Sequence, residues 1–214
     1  MPCGFTFQHY AGIIAEAVGQ GYRFLRFRDV EQAEGGRVLV MRHDIDLLPR
    51  NALRFAEIEA GFGVRATYFV RLHAQHYNPF DLETYRMLKA IRDQGHEIGL
   101  HYEPEFAALV GEGARDLLRR EKAALEAILE VEVVSAAAHN PSLSRESLAL
   151  EDLAAVGIRH EAYHPPFSTE FKYLSDSGAR WREGCVCGFL GREERLHVLI
   201  HPFWWFERSL SENF

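Results

Sequence analysis

Short apolar runs alternate with longer segments of helical periodicity along most of this 214-residue chain. The apolar runs predict strands over residues 22–27, 38–41, 64–70, 96–101, 131–138, 158–163, 172–175 and 196–201. Between them, apolar residues recur every three or four positions, which predicts helices over residues 8–21, 49–61, 81–94, 112–130 and 144–156. Strands that alternate with helices imply parallel βαβ units. We therefore expect an α/β fold, a small or incomplete (β/α) barrel of about seven parallel strands.

Several residues mark the ends of the predicted helices. Pro49 is tolerated in a first turn, Gly95 ends the helix before it, and Ser144 is a suitable N-cap. The sequence has no internal repeat and no linker rich in proline or serine, and 47% of its residues are hydrophobic. That is enough for a real core. We therefore expect a single domain over residues 1–214.

The charge and the apolar runs exclude some classes of protein. The formal net charge of −7 argues against a general nucleic-acid binder, which needs a basic face. No apolar run approaches the ~20 residues that a membrane span requires. The first residues lack a basic region followed by an apolar core, so no signal peptide is predicted. We expect a cytoplasmic protein without a membrane span.

The three cysteines are too few for a disulfide framework. Cys185 and Cys187 are separated by one residue, and Cys3 stands alone near the start of the chain. Two thiols without a second cysteine pair make a poor zinc knuckle. We therefore expect free thiols in a reducing compartment.

Ionisable side chains recur where the predicted strands end. Such positions in a β/α barrel meet at one rim, where the active site lies. Asp44 and Asp46 are two residues apart, so in an extended chain they share one face. The full set of strand-end residues is Asp44, Asp46, His101, His139, Asp176 and His201. We expect them to form an enzyme or metal site.

A set of aspartate, histidine and glutamate ligands suits zinc or another borderline divalent ion. With three protein ligands, such an ion keeps a position for water and lowers the pKa of that water towards ~7. A carboxylate that does not bind the ion can then act as general base, and a histidine across the site can protonate a leaving group.

The strand-end motifs resemble those of the polysaccharide deacetylase family, carbohydrate esterase family four, over roughly residues 38–205. The segment Gly-His-Glu-Ile-Gly-Leu-His that ends at His101 closely matches the family's second motif. Asp44-Ile-Asp46 is similar to the first motif, and Leu-Ile-His201-Pro to the last. Asp176 followed by a tryptophan loosely resembles the motif that orients the last histidine.

The resemblance implies a metal-dependent hydrolase that removes acetyl groups from a carbohydrate or related small molecule. It implies Asp44 as base, Asp46 and His101 as metal ligands, and His201 as general acid oriented by Asp176. The predicted location favours a soluble, nucleotide-linked or lipid-linked sugar over cell-wall polymer. The alternatives are a hydrolase of a non-sugar C–N bond and a catalytically silent carbohydrate-binding or scaffolding homologue.

The chain departs from the family pattern at two points. The second histidine of the second motif is replaced by Glu105. The candidates for the third metal ligand are therefore His139, which we favour, then Glu105, and last Glu103. The arginine of the third motif is absent from the segment that begins at His139. Arg42 or Arg180 is the candidate substitute.

We expect mainly structural roles for the remaining histidines and aromatic residues that stand out in the sequence. His43 should face the side of its strand opposite to the aspartates, and His96 should also be structural. His164 is a weak site candidate. The aromatic run over residues 203–206 either lines a substrate pocket or packs against the barrel.

Overall fold

The computed structural model describes residues 3–111, 113–140 and 148–214. Within these ranges, helices and strands alternate over most of the chain. The strands are β1 (Arg23–Leu25), β2 (Val38–Ile45), β3 (Thr67–Val70), β4 (Glu97–Tyr102), β5 (Ser135–Ala138), β6 (His160–Glu161), β7 (Lys172–Ser175) and β8 (Arg195–Ile200). The helices are α1 (Phe7–Gly19), α2 (Pro49–Gly61), α3 (Leu82–Asp93), α4 (Pro104–Leu109), α5 (Ala114–Leu129) and α6 (Leu150–Ala155).

The strands form one parallel sheet that curves into half of a barrel with flanking helices. Seven strands follow the order β6-β5-β4-β3-β2-β8-β7, and β1 pairs with the first half of β2 outside this path. The predicted incomplete barrel of parallel strands is therefore confirmed. No helix in the described part of the chain is both long enough and apolar enough to cross a membrane.

Strand β2 is longer than predicted and lies at the middle of the sheet. Its residues Val38 to His43 pair with β8, while Arg42 to Ile45 pair with β3. The prediction that the strand ends at Met41 was wrong, because the strand continues through the charged residues that follow Met41. These charges are accommodated by the pairing with β3, which extends the strand past Asp44.

Other predicted boundaries also changed. The strand predicted over 22–27 stops early, because Phe27 begins a 3₁₀ helix, Phe27–Gln32. The strand predicted over 158–163 shrinks to the two residues of β6. The last predicted helix begins at Leu150 instead of residue 144. Residues 141–147, with the predicted cap Ser144, lie outside the described residues. Helix α4, which is not among the predicted helices, begins at Pro104.

Alternate residues of the strands face two separate apolar clusters. One cluster fills the concave face of the sheet and includes Val38, Val40 and Phe69. Phe27, from the 3₁₀ helix, packs against Phe69 in this cluster. The larger cluster lies under the helices and includes Leu39, Met41 and Phe55 from α2 among others. Because successive side chains of a strand point to opposite faces, β2 presents Arg42 and Asp44 to the concave side and His43 to the helices.

A buried polar cluster on the helix side confirms that His43 faces away from the aspartates. Its Nε2 lies 2.7 Å from Oε1 of Glu59 on α2. Tyr10 and Tyr68 also donate to this carboxylate. Burial opposes ionisation of Glu59, but the charge of His43 and these hydrogen bonds outweigh it, so its pKa lies below the usual value. His96 was also expected to be structural. Its Nδ1 accepts from the backbone N–H of Ala66, and its Nε2 donates to the carbonyl oxygen of Ala56.

Replacing Glu59 with alanine should lower the free energy of unfolding by about 3–5 kcal/mol, because a buried imidazole and two buried phenols lose their acceptor. Urea unfolding at pH 7 measures this change. Glu57, on the same helix but half exposed, is the matched control, and its alanine variant should stay within about 0.5 kcal/mol of the wild type. Equal midpoints for the two variants would contradict the structural importance of this cluster.

Candidate active site

Two carboxylates of β2 and the loop after it face the same histidine. Asp44 is the penultimate residue of the strand, and Asp46 is the first residue beyond its end. Nε2 of His101, from β4, lies 3.6 Å from Oδ2 of Asp44 and 3.2 Å from Oδ1 of Asp46. The expectation that the two aspartates share one face is therefore confirmed.

The rings of His101 and His139 are brought to the carboxylates by neighbouring strands. Nδ1 of His101 donates to the carbonyl oxygen of Ala137 on β5, at 2.8 Å. This bond orients the ring and leaves Nε2 free to carry a proton or to bind a cation. His139 follows β5, and its Nε2 lies 3.7 Å from Oδ1 of Asp46.

The surroundings of Asp46 favour a positive ion. Its Oδ1 is buried and, apart from the ion-pair contacts with His101 and His139, has no hydrogen-bond partner among the described residues. Burial disfavours its charge, but His101, His201 and His139 outweigh burial and lower its pKa to about 2. Ligand atoms of Asp46, His101 and His139 all lie within 4.8 Å of one another. One carboxylate and two imidazoles at this spacing fit a divalent cation.

His201 follows β8, on the other side of β2 from His101. Its Nδ1 lies 2.6 Å from Oδ1 of the fully buried Asp176, which also accepts from the backbone N–H of His201. Trp205 donates its Nε1–H to Oδ2 of the same carboxylate at 2.8 Å. Burial disfavours the charged ring, but Asp176, with Asp44 and Asp46, outweighs it and raises the pKa of His201 to about 9. Nε2 therefore carries a proton at neutral pH.

Arg42 is the basic residue that contacts Asp44. Its guanidinium is fully buried on the concave face, donates to Oδ2 of Asp44 at 2.9 Å and donates to the hydroxyl of Tyr163 at 2.8 Å. Of the two candidate substitutes for the missing arginine, Arg42 therefore stands beside the carboxylate, whereas Arg180 is exposed. Oδ1 of Asp44 is buried and lacks a hydrogen-bond partner within the described ranges.

The rival third ligands, Glu105 and Glu103, are not part of the group of ligand atoms around Asp46. Glu105 is exposed at the start of α4. Glu103 accepts from Nε of Arg71 at 2.7 Å, and its Oε1 lies 3.6 Å from Nδ1 of His139. Among the candidates for the third ligand, this geometry favours His139 first and Glu103 second.

A cavity of about 400 Å³ opens onto these groups. Its wall contains the proposed catalytic and metal-binding side chains together with aromatic ones, namely Asp44, Asp46, His101, His139, His201, Tyr163, Tyr173 and Trp181. The aromatic run over 203–206 divides between its two predicted roles. Trp205 is fully buried, whereas Phe203 and Trp204 line a neighbouring pocket that also contains His201.

The contacts that Tyr163 and Trp205 make in the site were not predicted from the sequence. Tyr163 follows β6 and contacts Arg42, and Trp205 fixes Asp176. The rule that site residues follow strand ends would have found Tyr163, but we applied it to its neighbour His164. His164 is 3.9 Å from Glu161 and is absent from the wall of the 400 Å³ cavity.

Comparisons with known proteins agree with this geometry at the level of the fold. No protein-family model matches the chain, and no curated protein matches it in sequence. Among solved structures, it is similar to the Streptococcus pyogenes deacetylase PplD in complex with acetate, with a TM-score of 0.53, 14% identity and coverage of 90% of this chain and 82% of that one. It is similar to the chitin deacetylase of Colletotrichum lindemuthianum, with a TM-score of 0.51, 18% identity and coverage of 84% and 80%.

A further solved structure with this fold is a CE4 family pseudoenzyme from Bacillus anthracis. Its TM-score is 0.54 and its identity 16%, with coverage of 78% of this chain and 56% of that one. These likenesses confirm the predicted resemblance to carbohydrate esterase family four in fold. The two deacetylases and the pseudoenzyme leave the activity of this chain to be argued from its own residues.

Replacing Asp176 with asparagine should lower the pKa of His201 from about 9 towards the ordinary value near 6.5, because the ring loses its anionic partner. NMR titration of the ring in chelator-treated protein measures the shift. Asp93→Asn, at an exposed position on α3, is the control and should leave the titration unchanged. An unshifted His201 in the Asp176 variant would show that another group holds its proton.

Proposed function

We propose that this chain, which has the fold of carbohydrate esterase family four, is a metal-dependent hydrolase that removes an acetyl group from a sugar-containing or related small molecule. The main support for this proposal is that two candidate proton-transfer groups, Asp44 and His201, lie in the same cavity as the cluster of Asp46, His101 and His139. Asp44 is held by Arg42, whereas His201 is held by Asp176 and keeps its proton.

Asp46, His101 and His139 would hold the divalent cation, and the ligand types favour zinc. The unpartnered Oδ1 of Asp46 and the ring of His101, whose Nδ1 already donates to Ala137, fit this role. When bound, such an ion supplies Lewis-acid polarisation of an acyl carbonyl and lowers the pKa of a water molecule.

Asp44 acts as the general base in this proposal. Arg42 occupies its Oδ2 and fixes the orientation of the carboxylate. The other oxygen, Oδ1, is the atom left to accept a proton from the attacking water. Arg42 in turn is positioned by Tyr163, whose ring lies 4.8 Å from the guanidinium carbon.

His201 acts as the general acid. Its Nδ1 is engaged by Asp176, so the proton available for transfer is the one on Nε2, which lies 3.9 Å from Asp46. This proton passes to the leaving amine or alkoxide of the substrate. A pKa of about 9 keeps the acid protonated at the pH where Asp44 is needed as base.

The cavity wall supports a sugar-containing substrate. Tyr163, Tyr173 and Trp181 add apolar faces with polar edges to the charged floor of the 400 Å³ cavity. Sugar rings present apolar faces and hydroxyl edges, so a wall of this kind suits them. A non-sugar amide of similar size remains the second candidate among substrates.

A catalytically silent homologue is the second candidate function. It is favoured by the fold shared with the Bacillus anthracis pseudoenzyme and by the replacement of a family histidine by the exposed Glu105. Purified protein that neither binds a divalent ion at Asp46, His101 and His139 nor hydrolyses acetylated sugars would support it over the hydrolase.

Asp44→Asn should reduce turnover of an active acetylated substrate by about 10²–10⁴-fold, because the amide cannot accept the proton. Metal content should stay close to that of the wild type, since Asp46 and the histidines remain. The comparison requires both the rate and the zinc content of each preparation. Glu183→Gln, which alters a carboxylate of the same cavity that is paired with Lys172, is the control. Wild-type turnover in the Asp44 variant would remove it from the role of base.

His139→Ala should lower zinc affinity strongly, whereas Glu105→Ala should leave it unchanged, because only His139 reaches the cluster with Asp46. Competition with a chromophoric chelator measures both affinities in parallel. The opposite ranking would make Glu105 the third ligand and would require α4 to turn towards the cluster.

A further inference from the structure

All three cysteines of the chain meet one histidine at a place outside the lining of the cavity. Sγ of Cys3 lies 3.3 Å from Sγ of Cys187, and Nε2 of His9 lies 3.2 Å from Sγ of Cys185. The four atoms all lie within 4.8 Å of one another. We name this set, Cys3, His9, Cys185 and Cys187, the thiol cluster.

The two halves of the thiol cluster are far apart in sequence and are positioned by separate contacts. His9 lies in the first turn of α1, where its N–H donates to the capping Thr6. The segment before it is fixed by backbone hydrogen bonds of Phe5 and Phe7 with Phe206. Cys185 caps a short 3₁₀ helix, and its carbonyl accepts from the N–H of Gly188. The cysteines therefore meet because the fold brings these segments together.

We propose that the thiol cluster is a structural zinc site with three cysteines and one histidine as ligands. Three thiolates and one imidazole form one of the ligand sets found in closed tetrahedral zinc sites. With zinc–sulfur bonds of about 2.3 Å and zinc–nitrogen bonds of about 2.0–2.1 Å, the edges of such a tetrahedron are about 3.5–3.8 Å. The spacing of the thiol cluster is close to these values. The three cysteines are free thiols in the structure, and the sequence did not indicate that Cys3 and His9 lie beside the C-x-C pair.

Such a site would join the N-terminal segment to one wall of the cavity. Trp181, Glu183 and Gly184 line the cavity directly before Cys185. In the N-terminal segment that carries Cys3, Phe5 stacks on Trp181 with ring centroids 6.3 Å apart. Its ring centroid also lies 5.2 Å from that of Trp205. With four protein ligands, the ion has no open position for water, so it would support this wall and would not perform chemistry. The inference does not depend on the proposed hydrolase activity.

Cobalt binding by the full-length wild-type chain tests the proposal directly. Reduced, metal-free protein titrated with Co²⁺ should show thiolate-to-cobalt charge-transfer absorption and the intense visible bands of a tetrahedral site. The cluster of Asp46, His101 and His139 contains no sulfur, so this absorption reports on the thiol cluster alone. Absence of the charge-transfer absorption at saturating Co²⁺ would overturn the proposal.

Zinc content of variants provides a second test that does not depend on activity. An Asp46→Asn/His101→Asn variant should keep about one zinc per chain, and Cys185→Ser/Cys187→Ser should lose that equivalent. His9→Asn should weaken zinc binding, whereas His160→Asn, a similarly buried histidine outside the cluster, should not. Thiol counting in unreduced, denatured protein should find all three cysteines free. A single free thiol together with a mass lower by two hydrogens would identify a disulfide and overturn the zinc site.

Discussion

The parallel pairing of β2 with its neighbours is the constraint on which the candidate site depends. The strand pairs with β8 on one side and with β1 and β3 on the other. Because all these strands run in the same direction, the residues at the carboxyl ends of β4, β5 and β8 arrive beside the end of β2. A shift of β2 by one residue would exchange its two faces and move the aspartates under the helices.

Ionisable side chains on both faces of β2 are tolerated because each has a buried partner. On the concave face Arg42 is paired with Asp44, and on the helix face His43 is paired with Glu59. Removing one member of such a pair costs several kcal/mol, because the other charge stays buried without compensation. The strand thus combines two functions, since one pair supports the packing of α2 and the other orients a carboxylate at the cavity.

His201 is supported by contacts that extend to the start of the chain. Asp176 holds His201, Trp205 holds Asp176, and Phe5 packs against Trp205. The segment that carries Phe5 also carries Cys3, whose thiol lies near that of Cys187. The thiol cluster and the candidate active site are therefore joined through packed aromatic rings. Loosening of the N-terminal segment would weaken the packing of Trp205, which donates to Asp176.

The sequence alone determined the alternation of strands and helices and the type of chemistry at the strand ends. Period-two and helical patterns are local, and the strand-end rule converts them into a list of residues that share one rim. Only the tertiary structure decided which distant groups meet. It gave Tyr163 and Trp205 their supporting roles beside Arg42 and Asp176, and assembled Cys3 and His9 with the C-x-C pair. The reason is physical: side-chain partners across a sheet or between its two ends are set by strand order and register, which leave no local periodic signal.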